Sequence, residues 1–228
     1  MLCHRVWGLY YSSTNTTRDT DGEAPHTFKI KFMTKDSTRN LILDKTYKLL
    51  FRNNWEAITI EQIESSIGKT RGAIFHFFKN KNELFNAVIS ERFLCKFESL
   101  EISKITLGHT SIKVFFDQYH TPFERIGIDM AGNYGLTNSS PAILNIIVQA
   151  RKLYPNFDII IESYIKDELQ FIANNALIMR NNPWLINLFK TYIQLSCGAL
   201  LFQPDFCAFD IKKQCYSYIN GLALLLGE

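Results

Sequence analysis

Apolar residues recur at three- and four-residue intervals along most of this chain, the spacing of one buried face on an α-helix. The first such segment predicts a helix over residues 38–52. Asn53 and Asn54 are expected to end it, because asparagine tolerates the left-handed backbone that follows many helices. The predicted apolar face of this helix consists of Ile42, Leu43, Thr46, Tyr47, Leu49 and Leu50.

Three further helices follow at short intervals. Thr59-Ile60-Glu61-Gln62 fits a capping box, so a second helix is predicted from Thr59 to Gly68. A third helix begins near Thr70, with Ile74 and Phe78 on its buried side. Asn80-Lys81-Asn82-Glu83 resembles another capping box and opens a long fourth helix. The inward positions of the second helix are Ile60, Ile63 and Ile67, and those of the fourth are Leu84, Phe85, Val88, Ile89, Phe93, Phe97 and Leu100.

The rest of the chain is also expected to be helical. The predicted segments cover residues 110–127, 140–153, 156–180, 183–203 and 207–226. Proline and glycine are natural breakers between them; here they are Pro122, Gly132, Gly135, Pro141, Pro155, Pro183 and Pro204. No alternating pattern of strand length is present in the sequence. The predicted fold class is therefore all-α.

Residues 1–32 differ from this pattern, because they are polar, unperiodic and rich in Ser, Thr and Asn. We expect them to form a disordered arm. Met33 stands directly before the first patterned segment, so an alternative is that translation begins there. The intact mass of the protein from its native host would separate the two.

Composition excludes several classes of protein. A hydrophobic content of 46% and a net charge of +3 are typical of a globular protein. The five cysteines form no C-x-x-C pair, which favours reduced thiols in the cytoplasm and no metal site. No segment is predicted to span a membrane, and no cofactor is expected. An enzyme is disfavoured because the sequence has no G-x-S-x-G, no Walker loop and no nucleophile–base pair.

Positive charge is concentrated between Glu64 and Glu83, where four cations face no acid. Two short helices joined by a turn at Gly68, braced by a longer helix before them, form a helix-turn-helix. The second helix of such a unit enters the major groove of DNA, and its first residues reach base edges. The groove contacts predicted here are Lys69, Thr70, Arg71, Ala73, Phe75 and His76, and the predicted phosphate contacts are Lys79 and Lys81.

About fifty residues resemble the N-terminal domain of the tetracycline-repressor (TetR) family. Thr38-Arg39 with Ile42-Leu43-Asp44 resembles the opening of its first helix, and Trp55-Glu56-Ala57-Ile58-Thr59 resembles the entry to its second. The run from Gly68 to Lys81 resembles its recognition helix and exit. The chain departs from the family at Lys69, which replaces an apolar residue, at Asn54, which replaces glycine, and at Phe75 and Phe77, which replace polar aromatics.

The resemblance implies four regions, here written as expectations. They are an arm or mis-assigned start over 1–33, a DNA-binding domain over 34–82, a connecting helix over 83–106, and an effector-binding and dimerisation domain over 107–228. The family pairs its last two helices with those of a second subunit. Candidate dimer contacts are Ile186, Phe189, Ile193, Cys197, Leu200, Ile219, Leu222 and Leu226. Candidate residues of a largely apolar effector pocket are Phe115, Phe116, Tyr119, Met130, Tyr134 and Phe171, and the favoured alternative for each of them is an ordinary core position.

The resulting hypothesis is a homodimeric repressor that binds a palindromic operator in double-stranded DNA and is released by a small, largely apolar effector. The alternative keeps the fold and the DNA but drops the ligand, giving an architectural or activating protein. A thermal-shift screen distinguishes the two, because a ligand-gated repressor is stabilised by its effector.

Overall fold

The computed structural model describes residues 35–98, 107–202 and 219–224 without 222. Every regular element in these ranges is helical, so the all-α prediction is confirmed. The elements are α1 (Lys35–Leu49), α2 (Ile60–Ile67), α3 (Arg71–Phe77), α4 (Lys81–Val88), a π-helix (Ile89–Leu94), α5 (Cys95–Glu98), α6 (Ile112–Gln118), α7 (Pro122–Tyr134), α8 (Ser140–Leu153), α9 (Phe157–Asn175), α10 (Leu177–Asn181) and α11 (Leu185–Phe202). The predicted arm and Met33 lie outside the described residues.

Local signals position the helix-turn-helix as predicted. At the start of α2 the Thr59 hydroxyl accepts from the Gln62 N–H (3.2 Å), and the Gln62 side chain accepts from the Thr59 N–H (2.8 Å). This is the reciprocal bonding of a capping box. Gly68 ends α2 with a φ of 63°, a left-handed conformation that glycine adopts without strain. The side chains of Ile60, Ile63 and Ile67 are all buried.

The two neighbouring helix boundaries differ in detail from the prediction. Helix α1 ends at Leu49 rather than at the predicted residue 52. The Asn53 side-chain amide donates to the Leu49 carbonyl (2.8 Å) at this helix end. At the start of α4 the Asn80 side chain accepts from the Glu83 N–H (2.8 Å). The Glu83 carboxylate accepts from the N–H of Lys79 (2.7 Å), one residue before the position that a capping box uses.

Helix α4, the π-helix and α5 run on without interruption over residues 81–98. We call this range the connecting helix, and residues 99–106 of the predicted segment lie outside the described residues. Its π-helical part carries Arg92, which is buried although charged. The Arg92 guanidinium donates to the Asp44 carboxylate (2.6 Å) and to the Asn40 side chain (2.8 Å), both on α1. Polar contacts therefore tie the connecting helix to the first helix of the DNA-binding unit.

The predicted single helix over 110–127 is wrong, because it is two helices. Helix α6 ends at Gln118 and α7 begins at Pro122. Proline is favoured in the first turn of a helix, where its missing N–H has no partner to lose. Thr121 and Glu124 form a capping box around Pro122 and are buried, so the start of α7 is stabilised. Gly132 stays inside α7, and Gly135 ends it with a φ of 68°.

The remaining segments follow the prediction more closely. The segment 140–153 is α8, and 183–203 contains α11. The segment 156–180 is divided between α9 and α10 at Ala176, whose extended backbone interrupts the helix. Of the segment 207–226, only parts of 219–224 lie within the described residues.

Two apolar cores hold these helices together. The first begins in α1, includes the inward faces of α2, α3 and the connecting helix, and continues into α7, α8 and the start of α9. The second joins α6, the end of α9, α10 and α11. Since the first core crosses the predicted boundary at residue 107, the DNA-binding unit packs directly on helices of the C-terminal region.

Helix α8 holds the loop between α1 and α2 through side-chain amides. The Asn145 amide donates to the Leu50 carbonyl (2.8 Å), and the Gln149 amide donates to the Asn53 carbonyl (3.2 Å). The Gln149 side-chain oxygen accepts from the backbone N–H of Trp55. Gln149 is only 6% exposed and its bond to the Trp55 N–H is buried, so this bond satisfies a buried backbone group.

Replacing Gln149 with alanine is expected to lower the free energy of unfolding by about 1–3 kcal/mol, because the buried Trp55 N–H loses its acceptor. Urea denaturation followed by circular dichroism measures the change. Gln170→Ala is the matched control, since Gln170 is exposed and bonds only to Asn174 on its own helix. Equal stability of both variants would contradict a role for Gln149 in holding this loop.

Candidate nucleic-acid interface

Helix α3 packs by one side and leaves its first turn in solvent. Ile74 is fully buried and Phe78, directly after the helix, is 2% exposed. These two side chains anchor α3 on α1 and α2, four residues apart on one face. Of the residues predicted to contact DNA, Lys69, Thr70, Arg71, His76 and Lys79 are exposed, whereas Ala73, Phe75 and Lys81 are half-buried.

Thr70 occupies the N-cap position of α3 with extended backbone, as predicted. Its hydroxyl makes no capping hydrogen bond, so it can turn toward a ligand at this helix end. Gly72 follows in the exposed first turn. A Cβ built there would come no closer than 3.9 Å to the nearest atom, the Thr70 hydroxyl oxygen. Packing within the protein therefore does not require glycine at position 72.

Arg71 lies at the start of α3 between an acid and an aromatic ring. Its guanidinium is 3.4 Å from the Glu61 carboxylate on α2 and 5.6 Å from the centre of the Phe75 ring. The pKa of Glu61 lies below its ordinary value because of hydrogen bonds from its own backbone and from Thr59, with a smaller contribution from Arg71. Both partners of this ion pair are exposed, so it is weak and easily exchanged for a phosphate or a base.

Phe75 and His76 complete the outer side of α3. The Phe75 ring supports the Arg71 guanidinium, which gives this phenylalanine a positioning role in the free protein. The His76 ring packs edge-on against Phe77, with 5.0 Å between the ring centres. Phe77 is half-buried and packs on the first core, so its side chain contributes to folding.

Lys79 and Lys81 differ although both were assigned to phosphate. Lys79 is exposed and makes no ion pair with any described residue. The Lys81 ammonium donates to the Trp55 carbonyl (2.7 Å) and lies 4.7 Å from the centre of the Trp55 ring. Burial lowers the pKa of Lys81, against a smaller effect of Glu56. Lys81 thus attaches the start of α4 to the loop before α2, a contact across 26 positions that no local pattern indicates.

Three of the eight predicted dimer contacts face the interior of their own chain. Phe189 and Ile193 are fully buried inside the protomer, and Ile219 is 2% exposed, so these side chains offer no area to a second copy. Ile186 is half-buried. The side chains of Cys197 and Leu200, and residues Leu222 and Leu226, lie outside the described part. Large apolar side chains that are exposed near this end are Trp184 (48%) and Leu224 (77%).

The predicted effector-pocket residues are divided between the two cores. Phe115, Phe116 and Tyr119 are buried in the second core, and Phe171 packs on it, whereas Met130 and Tyr134 belong to the first. The rings pack against one another: the centres of Tyr119 and Phe189 are 4.5 Å apart. The six side chains therefore do not line a common space in this conformation.

No three His, Cys, Asp or Glu side chains in the described ranges come together as a metal site. Among the helices of the described residues, none is long and apolar enough to cross a bilayer.

The arrangement of α1, α2 and α3, with a basic first turn exposed on α3, defines a helix-turn-helix unit. Residues 42–88 match the model of the family described as bacterial regulatory proteins, tetR family. Over these residues the chain is similar to the DNA-binding domain of tetR-family regulators, which is the resemblance that the sequence predicted.

Individual relatives agree over the same part of the chain. The HTH-type transcriptional repressor AcnR of Corynebacterium diphtheriae is 38% identical over 53 residues, and AcnR of Corynebacterium glutamicum is 36% identical over 55. The HTH-type transcriptional repressor Rv1474c of Mycobacterium tuberculosis is 38% identical over 53. The matches cover 23–24% of this chain and 28–29% of the relatives, so they extend over less than a third of either. No solved structure matches the chain.

Proposed function

We propose that this protein is a transcriptional repressor that binds operator DNA through α3. The observation that carries the proposal is the exposed, basic first turn of a recognition helix whose other side is anchored by Ile74 and Phe78. Lys69 and Arg71 suit guanine edges or phosphate, and Thr70 suits a thymine methyl or phosphate. The names of the relatives, which are HTH-type transcriptional repressors, support the direction of regulation.

The active form in this proposal is a homodimer on a palindromic operator. One chain carries one recognition helix, and helix-turn-helix proteins gain specificity by placing two of them one DNA turn apart. Trp184 and Leu224 are exposed apolar side chains of the C-terminal region, and contact with a second chain in this region would cover them. Lys69, Thr70, Arg71, Ala73, Phe75, His76 and Lys79 remain the proposed contacts, with Lys81 in a supporting position.

Release by an effector is the regulatory part of the proposal. Because the first core runs from α1 into α7 and α8, a change in the C-terminal region reaches the DNA-binding unit through packed side chains. Phe115, Phe116 and Tyr119 are densely packed, which argues against an effector site among them. At this location the packing favours the alternative of a ligand-independent protein. The two alternatives differ in whether any small molecule raises the thermal stability of the dimer.

Selection from a random DNA library tests the proposal. The full chain is bound to random duplexes, the retained DNA is sequenced after several rounds, and the mass of the complex is measured. We expect an inverted repeat with half-site centres about 10 bp apart, or a multiple of that, and two or more chains per duplex. Retained DNA without any common sequence would contradict the proposed operator recognition.

A further inference from the structure

A groove of about 340 Å³ lies where α1, the connecting helix and α7 meet. Its walls come from both functional parts of the chain, since α1 belongs to the DNA-binding unit and α7 to the C-terminal region. The residues that line it are Leu41, Asp44, Lys45, Lys48, Arg92, Lys96, Asp129, Asn133 and Tyr134. Four of these side chains are cationic and two are acidic.

Both carboxylates in the groove are already bound by neighbouring side chains. Asp44 accepts from the Arg92 guanidinium (2.6 Å). Asp129 accepts from the Lys96 ammonium (2.7 Å) and from the Asn133 amide (2.8 Å). The acids thus balance Arg92 and Lys96, which leaves the charge of Lys45 and Lys48 uncompensated.

Three further side chains that line the groove carry hydrogen-bond donors. Lys45 and Lys48 form no ion pair with any described residue, and the Lys48 ammonium lies 5.2 Å from the centre of the Tyr134 ring. The Tyr134 hydroxyl makes no hydrogen bond to a described residue. Burial, and then the charges of Asp44 and Asp129, raise the pKa of Tyr134, so its hydroxyl keeps its proton. Two ammonium groups and a neutral phenol can all donate to an anion.

We propose that this groove is a regulatory site for a small anion with two carboxylate or phosphate groups, held by Lys45, Lys48 and Tyr134. Charge-assisted hydrogen bonds from the two lysines give the affinity, and the size of the groove admits a small metabolite. This inference rests on the proposed function and changes its effector from an apolar molecule to an anionic one.

The location gives the ligand a means of acting on DNA binding. An anion that bridges Lys45 and Lys48 on α1 to Tyr134 on α7 favours one distance between these helices. A ligand that binds one such arrangement more tightly shifts the population toward it. In the proposed dimer, the distance between the two DNA-binding units then changes as well. A neutral molecule of the same shape gains nothing from the two lysines.

The test measures anion binding to the full chain without DNA. Isothermal titration calorimetry and thermal shift use succinate and pyrophosphate as probes, with succinamide as the neutral analogue and sodium chloride at matched ionic strength. The variants are Lys45→Gln/Lys48→Gln and Tyr134→Phe. The matched control is Lys166→Gln/Lys190→Gln, which removes the same charge from exposed positions on α9 and α11.

We expect at least one of the anions to bind, succinamide not to bind, and the Lys45/Lys48 variant to bind about tenfold or more weakly. The Lys166/Lys190 variant should bind as the unchanged protein does. Absence of binding by both anions, or equal weakening by the two double variants, overturns the proposal. Because no DNA is present, these results are independent of operator recognition, which the library selection tests separately.

Discussion

Replacing Arg71 with alanine is expected to remove sequence-specific DNA binding. Arg71 stands at the exposed first turn of α3, and its guanidinium is held only by a weak contact to Glu61 and by the Phe75 ring. A bidentate contact from arginine to guanine contributes about 1–3 kcal/mol, which corresponds to roughly a 5- to 150-fold loss of affinity per recognition helix. In the proposed dimer both copies of α3 lose this contact, so the total loss of DNA affinity is larger. Fluorescence anisotropy on a selected operator duplex measures it.

Two further variants separate base recognition from charge. Arg71→Lys keeps the positive charge but loses the planar fork, so we expect general DNA affinity to persist while discrimination against altered operators falls. Arg180→Ala removes an equal charge from an exposed position on α10 and should leave binding unchanged. Full affinity and full discrimination in Arg71→Ala would refute the assignment of Arg71 to the major groove of DNA.

Replacing Arg125 with alanine is expected to lower the free energy of unfolding by more than the replacement of Gln149 does. Arg125 donates to both oxygens of the Glu168 carboxylate, at 3.0 and 2.7 Å. The Tyr119 hydroxyl donates to the same carboxylate (2.5 Å), and Glu168 is 1% exposed. Burial and the charge of Glu168 raise the pKa of Tyr119, so it remains a neutral donor. Removal of Arg125 leaves a buried carboxylate without its counter-charge, which costs about 3–5 kcal/mol.

Urea denaturation of the single and double variants measures this cost. Arg125→Met/Glu168→Gln removes both charges and keeps an acceptor for Tyr119, so it should recover most of the loss seen in Arg125→Ala. Exposed Arg151, which pairs with exposed Asp158, provides the matched control as Arg151→Ala. A loss below about 1 kcal/mol in Arg125→Ala, similar to that control, would refute the importance of the buried pair.

The helix-turn-helix was predictable because its signals are local. The capping box at Thr59, the left-handed Gly68 and the apolar spacing of Ile74 and Phe78 each act within a few residues. Short-range rules therefore sufficed for the boundaries of α2 and α3. The same rules were less informative at Pro122, where a proline that could end one helix instead begins the next.

Contacts between distant parts of the chain were not predictable. Nothing near Lys81 indicates that its ammonium binds the Trp55 carbonyl, and nothing near Gln149 indicates the backbone of Trp55. Phe189 has the spacing of a dimer contact, yet it packs against Tyr119 within its own chain. Periodicity identifies a face that is buried, but not the partner that buries it.

Helix periodicity and capping depend on neighbours in the chain, so the amino-acid sequence alone predicts the helical class, the limits of α3 and the exposed residues of its first turn. Two features become visible only in the folded chain: α8 holds the loop before α2, and the core is continuous across residue 107. The groove between α1 and α7 also belongs to this second group. The contacts that form these features join residues 48 to 95 positions apart, and such pairings depend on how complete helices pack.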